Sequence, residues 1–570
     1  MDMSIIQINA ESSVPIEQHF KVSAGPGAGK TRFLVNHIRN VLRQTTRLDK
    51  TRKVACITYT NVAVEIILER AGLAIERIEV GTIHSFLYKH VIKPYATYIA
   101  EEYDLNVDKL DGHDDYVFEN YSFLLELKNN TQQNYIRDDN KLIEALRCAR
   151  WKIDNDGNLF VKPDYPRKSG NYTIKNITYF EYKKMSWKRG VVHHDDVLFF
   201  GYQLISKYPF ILQVLRAKFP YFFLDEFQDT NPIQSNILQQ IGQEETVIGI
   251  IGDKAQSIYG FQGADPSQLG SFTLQDMAEY QILENYRSTE KIIDFLNCIR
   301  FDLHQAKSCL NGNGVKPILI VGKMLASLCK AQEFCQGESV CSLSRDNVTS
   351  NILKKNADIN FPSENLLQGL YDADSNSERR AIVLSFIKAL ELAVEKRYRE
   401  AVTELSKSLN IGVDKATSKK EALRHLNSSL ASYDQIKEMS LINFYDFLKS
   451  NINNTLARPS RGRPKEFYEQ HTYKQLAVCV KITDDNSLNR TTHKAKGAEF
   501  DNVILMLKRP SDLAFLFEPN LEGNEEHRIN YVAVSRARKR LFISVPTLFG
   551  LSEASINRIA DMLDIIEIPD

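Results

Sequence analysis

The chain has 570 residues, 43% of them hydrophobic and 25% charged, and its 72 basic and 72 acidic side chains give a formal net charge of zero. That length exceeds one hydrophobic core and predicts several domains, while the composition excludes a disordered, collagen-like or disulfide-framework chain. Charge balance excludes a global field that attracts phosphates, so any nucleic-acid contact has to come from a local cleft.

In chain order, residues 20–22 predict a short strand that runs into Ala24-Gly25-Pro26-Gly27-Ala28-Gly29-Lys30-Thr31, followed by helical apolar spacing through Leu34, Ile38 and Leu42. Strand, glycine-rich loop and helix is the context in which backbone N–H groups cradle phosphates. Lys30 is then placed for the β- and γ-phosphates and the Thr31 hydroxyl for magnesium, which makes this an NTP site. Residues 139–151 predict a helix, and residues 159–161 and 172–182 predict strands. Asp154-Asn155-Asp156-Gly157 predicts a hairpin turn, because the remaining ligands of a calcium loop are missing.

Residues 221–224 are all apolar, as in a parallel strand buried on both faces, and end in Asp225-Glu226-Phe227-Gln228-Asp229-Thr230. Two adjacent acids there are costly without a cation. Asp225 fits the magnesium role, and Glu226 is placed to accept a proton from an attacking water. A further strand is expected at 247–251, a strand and its following turn at 340–347, and a helix at 381–409. Arg461-Gly462-Arg463-Pro464, inside a basic Pro-rich stretch, is similar to an AT-hook that lays arginines into a narrow minor groove, with a basic surface loop as the blander reading.

Seven segments, in order, resemble the motifs of superfamily 1 DNA helicases of the UvrD/Rep/PcrA group. Ala55–Ala63 resembles motif Ia, Gly81–Phe86 motif Ib, Asp225–Thr230 motif II and Gly252–Ala264 motif III. Asn285–Ser288 resembles motif IV, Thr492–Phe500 motif V and Tyr531–Arg538 motif VI. The resemblance implies an α/β fold of two RecA-like P-loop domains with parallel sheets, each carrying an inserted, mostly helical subdomain. It implies ATP and Mg2+ as cofactors, with Gly25, Gly27, Ala28, Gly29, Lys30 and Thr31 around the phosphates. Arg32 and Tyr286 would flank the adenine, and Glu499 the ribose. Gln256 would sense the γ-phosphate, with Arg287 and Arg536, both expected in the second domain, as arginine fingers. Tyr59, Tyr259 and Phe261 would stack DNA bases, with Thr60, Asn61, His84 and His493 as polar neighbours. The family's glutamine motif is not evident; Gln7 and Gln18 are the two candidates.

The expected division is a 1A domain at 1–92 and 190–278, a 1B-like insertion at 93–189, a 2A domain at 279–358 and 476–570, and a reduced 2B-like insertion at 359–475. The implied activity is an ATP-dependent helicase and translocase on single-stranded or tailed duplex DNA, moving 3′ to 5′. The compact layout is similar to the helicase subunit of Gabija anti-phage systems, which implies an OLD-family nuclease partner. The alternatives are an ATP-switched DNA-end sensor and a stand-alone repair helicase. Eight cysteines without a CxxC pair read as reduced thiols. No apolar run is long enough for a membrane span and residues 1–10 lack a signal-peptide pattern, so a cytoplasmic protein without a membrane partner is expected.

Overall fold

The computed structural model describes residues 5–59, 64, 69, 76–110, 112, 113, 117, 118, 120–356, 366–408, 415–452, 457–480, 482 and 487–569. It divides into two compact units, Met1–Asn313 with Glu518–Ser535, and Gly314–Phe517 with Arg536–Asp570.

The first unit is built on a parallel sheet. Strands β1 (Ile6–Ile8), β2 (Phe20–Ala24), β3 (Val54–Ile57) and β4 (Ile78–Gly81) precede an insertion holding two hairpins, β5 (Arg150–Ile153) with β6 (Leu159–Lys162), and β7 (Lys168–Ser169) with β8 (Tyr172–Thr173). The chain then returns to the sheet as β9 (Tyr221–Leu224), β10 (Val247–Gly252) and β11 (Ala278–Ile282), giving the order β1-β11-β2-β10-β9-β3-β4. A short parallel pair follows, β12 (Glu284–Asn285) with β13 (Ala306–Lys307). Every residue of β3, β9 and β10 is buried, as strands covered on both faces require. Because all seven strands are parallel, the loops after β2, β3, β4, β9 and β10 emerge at one carboxyl edge, where α/β sheets bind ligands. The boundary expected at 278/279 falls inside β11, which pairs along its length with β2 and so belongs to this sheet.

The second unit carries a separate parallel sheet of β14 (Ile318–Val321), β15 (Val340–Ser344), β16 (Asn489–Thr491), β17 (Phe500–Met506), β18 (Ala537–Val545) and β19 (Asp564–Glu567), in the order β16-β15-β17-β18-β14-β19. Between β15 and β16 lies a helical insertion with its own core, including Phe386, Leu390, Phe444, Tyr445, Tyr468 and Tyr473. Two parallel α/β sheets with inserted subdomains match the expected class.

Four local expectations differ. Residues 172–182 are β-rich in composition, but only Tyr172–Thr173 is strand; a helix runs over Ile177–Lys188, burying Tyr179, Tyr182, Ser186 and Trp187, so packing overrides propensity. The helix at 139–151 stops at Arg147, and Trp151 lies in β5. The segment 381–409 is two helices, Ser377–Val394 and Tyr398–Ser408. Arg461–Pro464 does not form the extended strip of a minor-groove hook: Arg461 is the N-cap, and Gly462-Arg463-Pro464 is the first turn of the helix Gly462–Gln470, where a proline is tolerated. No described helix is long and apolar enough to cross a membrane.

Candidate nucleotide and DNA site

The loop between β2 and the helix Lys30–Gln44 adopts the backbone that its glycines permit. Gly27 and Gly29 have φ of 74° and 80°, the left-handed region that disfavours a Cβ. A Cβ on Gly27 would also meet Asn285 Oδ1 at 2.5 Å. Gly29 is the N-cap and offers no side chain, so the first-turn N–H groups stay open to an anion. The Lys30 ammonium is buried and donates to the carbonyls of Ala24 (3.3 Å) and Gly25 (3.4 Å), just beneath the loop.

At the neighbouring strand end, the Thr31 hydroxyl donates to Asp225 Oδ2 at 3.1 Å. Burial pushes the Asp225 carboxyl above its ordinary range, and the Glu226 charge adds to this, while Lys30 offsets part of it. A buried carboxylate with too little compensating charge, beside a hydroxyl and a second carboxylate, is an all-oxygen donor set that fits a hard divalent cation. Glu226 holds a left-handed φ of 56°, rare for a side-chain-bearing residue, with its N–H on Asp225 Oδ1 (3.0 Å) and its carboxylate held by the Gln228 amide.

Behind these residues runs a polar network of which sequence reasoning named only some members, Gln256 among them. Gln228 Oε1 accepts from the Asp253 N–H (2.9 Å), and Gln256 donates to Asp253 Oδ2 (2.6 Å). Burial would raise the Asp253 carboxyl, but the Arg300 guanidinium at 2.7 Å, and then Lys30, hold it below its usual range. On the other side of the loop, Asn285 Oδ1 accepts from the N–H groups of Arg287 (2.8 Å) and Ser288 (3.1 Å), and Asn285 Nδ2 donates to Gln305. Gln305 in turn donates to the Pro26 carbonyl at 3.0 Å, and Tyr286 N–H donates to the Gly27 carbonyl at 2.9 Å. Gln228, Asp253, Gln256 and Asn285 lie within motifs II, III and IV, whereas Arg300 and Gln305 lie outside every motif.

The bracket places Arg287 in the first unit, beside the phosphate loop, where its guanidinium donates to the Ser535 carbonyl at 2.9 Å. This corrects the expectation that it sits in the second domain: the segment after β11 folds back along the loop. Arg32 and Tyr286 both border Gly29, within 4.0 Å of a Cβ built there. Gln18 donates to the Asp276 carbonyl before β2 begins, at the amino edge and away from the loop, and Gln7 lies on edge strand β1.

A cleft of about 780 Å³ opens at the same edge, lined among others by Asp225, Glu226, Tyr59, His84 and Phe261. Tyr59 stacks on Tyr259 (5.1 Å between centroids, 23° between planes), and Tyr259 lies 6.0 Å from Phe261, which is 56% exposed. His84 stacks on His194 at 3.8 Å, and burial, reinforced by His194 and His113, holds its imidazole well below the usual range and therefore neutral. Thr60 and Asn61 lie outside the described residues. Glu499, Arg536 and His493 belong to the second unit: Glu499 and Arg536 immediately precede β17 and β18 at the amino edge of its sheet, and His493 follows β16 at the carboxyl edge.

Residues 6–276 match the model of the UvrD/REP helicase N-terminal domain, and residues 325–547 that of the UvrD-like helicase C-terminal domain. Between them the two models span most of the sequence. The chain belongs to the UvrD-like helicases of superfamily 1. It is 23% identical to the ATP-dependent DNA helicase PcrA of Staphylococcus aureus (strain NCTC 8325 / PS 47), over 98% of this chain and 86% of that protein. The PcrA of Staphylococcus epidermidis (strain ATCC 12228 / FDA PCI 1200) gives the same identity and coverage. As a UvrD-like helicase the chain hydrolyses ATP with a divalent metal and acts on DNA.

Proposed function

We propose that this UvrD-like helicase is a magnesium-dependent motor that moves 3′ to 5′ along single-stranded DNA and opens tailed duplexes. One observation carries the reading: a single cleft of the first unit is lined both by the carboxylates Asp225 and Glu226 and by Tyr59, His84 and Phe261. Hydrolysis and strand grip therefore share a wall, which is what coupling requires.

In this reading the loop N–H groups and Lys30 hold the β- and γ-phosphates, while Arg32 and Tyr286 flank the adenine and Glu499 takes the ribose. Thr31 and Asp225 hold Mg2+, which when bound withdraws charge from the phosphate oxygens. Glu226 accepts the proton of the water that attacks the γ-phosphorus, as the bond to the β–γ bridging oxygen breaks and ADP departs. Gln256, fixed by Asp253, reports the γ-phosphate, and Arg287 and Arg536 offset the charge that develops on it. Tyr59, Tyr259 and Phe261 stack bases, and Thr60, Asn61, His84 and His493 contact the strand between them. The first unit without its insertion is domain 1A and the second sheet domain 2A, with 93–189 and 359–475 as 1B-like and reduced 2B-like insertions. The reduced 2B-like insertion supports a cytoplasmic motor working beside an OLD-family nuclease in anti-phage defence.

Lys30→Ala and Glu226→Gln should each abolish DNA-stimulated ATP turnover, a loss of at least about 100-fold, while leaving circular dichroism unchanged. Parent-like turnover in either variant would refute the site assignment. On duplexes with a 3′ or a 5′ single-stranded tail, the parent chain should displace the strand only from the 3′-tailed substrate. Hydrolysis without displacement on both would instead assign it to DNA-end sensing.

A further inference from the structure

Strands β5 and β6 form a two-stranded ribbon at the cleft wall, closed by the turn in which Asp154 Oδ1 accepts from the N–H groups of Asp156 (3.0 Å) and Asn158 (2.8 Å). The register pairs Arg150 with Lys162, Trp151 with Val161, and Lys152 with Phe160. Residues directly opposite in an antiparallel pair share a face, and faces alternate along each strand. Trp151 and Val161, both 6% exposed, are therefore the inner face. Arg150, Lys152, Phe160 and Lys162 make up the other, three cations around one aromatic ring, and each is half-buried. Arg150 and Lys152 line the cleft that holds Tyr59, His84 and Phe261. Residues 150–189 carry ten basic and four acidic side chains in a chain of zero net charge, so the basic character is local to this insertion.

The ribbon is firmly rooted. Trp151 stacks on Phe199 (3.9 Å, 20°), and its indole N–H donates to the buried carboxylate of Asp196 at 2.8 Å. Of the outer-face cations, Arg150 donates to the carbonyls of Arg147 and Ala149, both at 2.8 Å, whereas the two lysines are lightly committed by comparison. Lys152 forms an ion pair with Asp164 at 2.7 Å, the two side chains being 33% and 58% exposed, and pairs this open to solvent contribute little. The Lys162 ammonium lies over the Phe160 ring, 4.9 Å from its centroid.

We infer that the outer face of this ribbon is a further single-stranded DNA contact of the first unit, with Arg150, Lys152 and Lys162 on successive phosphates and Phe160 as a stacking platform. Alternating cations and an aromatic ring on a rigid support is the chemistry of sequence-independent strand binding. The inference rests on the proposed strand-binding role of the cleft, which the ribbon extends.

The test uses the full chain and a labelled oligothymidylate, with binding followed by fluorescence anisotropy as salt is varied. The triple variant Arg150→Gln, Lys152→Gln, Lys162→Gln should bind at least about tenfold more weakly, and its log–log salt slope should fall by about 2, since each phosphate contact on a single strand contributes about 0.7. Phe160→Ala should weaken binding about tenfold without changing the slope, and Phe160→Trp should restore it. Affinity and slope equal to the parent's in the triple variant would overturn the inference. A parent chain that does not bind the oligonucleotide would refute the strand-binding reading itself, so the two failures are distinct. If the triple variant loses the parent's circular dichroism, Lys162→Gln alone decides, with an expected slope change of about 0.7.

Discussion

His37, on the helix that follows the phosphate loop, is 1% exposed and wedged among Phe20, Phe33 and Phe223, with ring centroids 4.7 to 6.1 Å away. Neither ring nitrogen has a hydrogen-bond partner among the described residues. Burial lowers its imidazole to about 4 from an ordinary 6.5. The folded state therefore binds fewer protons than the unfolded one between those values, so the stability is fully present above 6.5 and is lost as the pH falls toward 4. His37→Phe should remove this liability. In urea titrations its advantage over the parent should grow by about 2 kcal/mol between pH 7 and pH 5, and a constant difference would contradict the assignment. Legibility at this scale was uneven. Lys30, Asp225 and Glu226 could be read because phosphoryl transfer dictates their types and spacing. Gln305 and Arg300 could not, because what fixes them is a loop carbonyl and a buried aspartate that only the fold brings near.

The insertion of the first unit is joined to the helix Asp196–Lys207 by a buried polar knot at the start of that helix. The Asp196 carboxylate is fully buried and accepts from both indoles at 2.8 Å, from the Lys183 ammonium at 2.8 Å, and from His193 N–H and Nδ1 at 3.0 Å each. His193 Nε2 meets the Tyr182 hydroxyl at 2.7 Å. Burial would raise the Asp196 carboxyl, yet Lys183, and then His193, hold it far below the ordinary carboxylate range. Asp196→Asn keeps the shape but removes the charge and turns one acceptor into a donor facing donors. It should destabilise the first unit by about 3–5 kcal/mol, read from denaturant unfolding; a change below about 1 kcal/mol would mean that the knot holds nothing together. In the sequence this site shows only as the adjacent His193 and His194, which do not imply a metal. Its hub is an aspartate whose partners lie up to 45 residues away, a separation that no periodicity encodes. The helix Ile177–Lys188 was hidden for a related reason: its aromatic, β-branched composition suits a strand, and only burial against the knot selects the helix.

For the molecule as a whole, the family and the two parallel sheets were legible because motif order survives where overall identity is low. The unit boundaries were not, because the chain crosses between units more than once and the segment Glu518–Ser535 returns to the first unit late in the sequence. The proposed partner is a property of the whole molecule too. Gentle purification from the native host should bring down a stoichiometric nuclease, visible by mass spectrometry, whereas a chain recovered alone would assign the motor to repair. The knot has one more consequence. The chain has two tryptophans, and both donate to the same carboxylate, with their rings 6.2 Å apart and nearly parallel. Indole emission therefore reports from one place, the root of the ribbon, and without any label the protein carries its own optical gauge of whether that root tightens or loosens when DNA arrives.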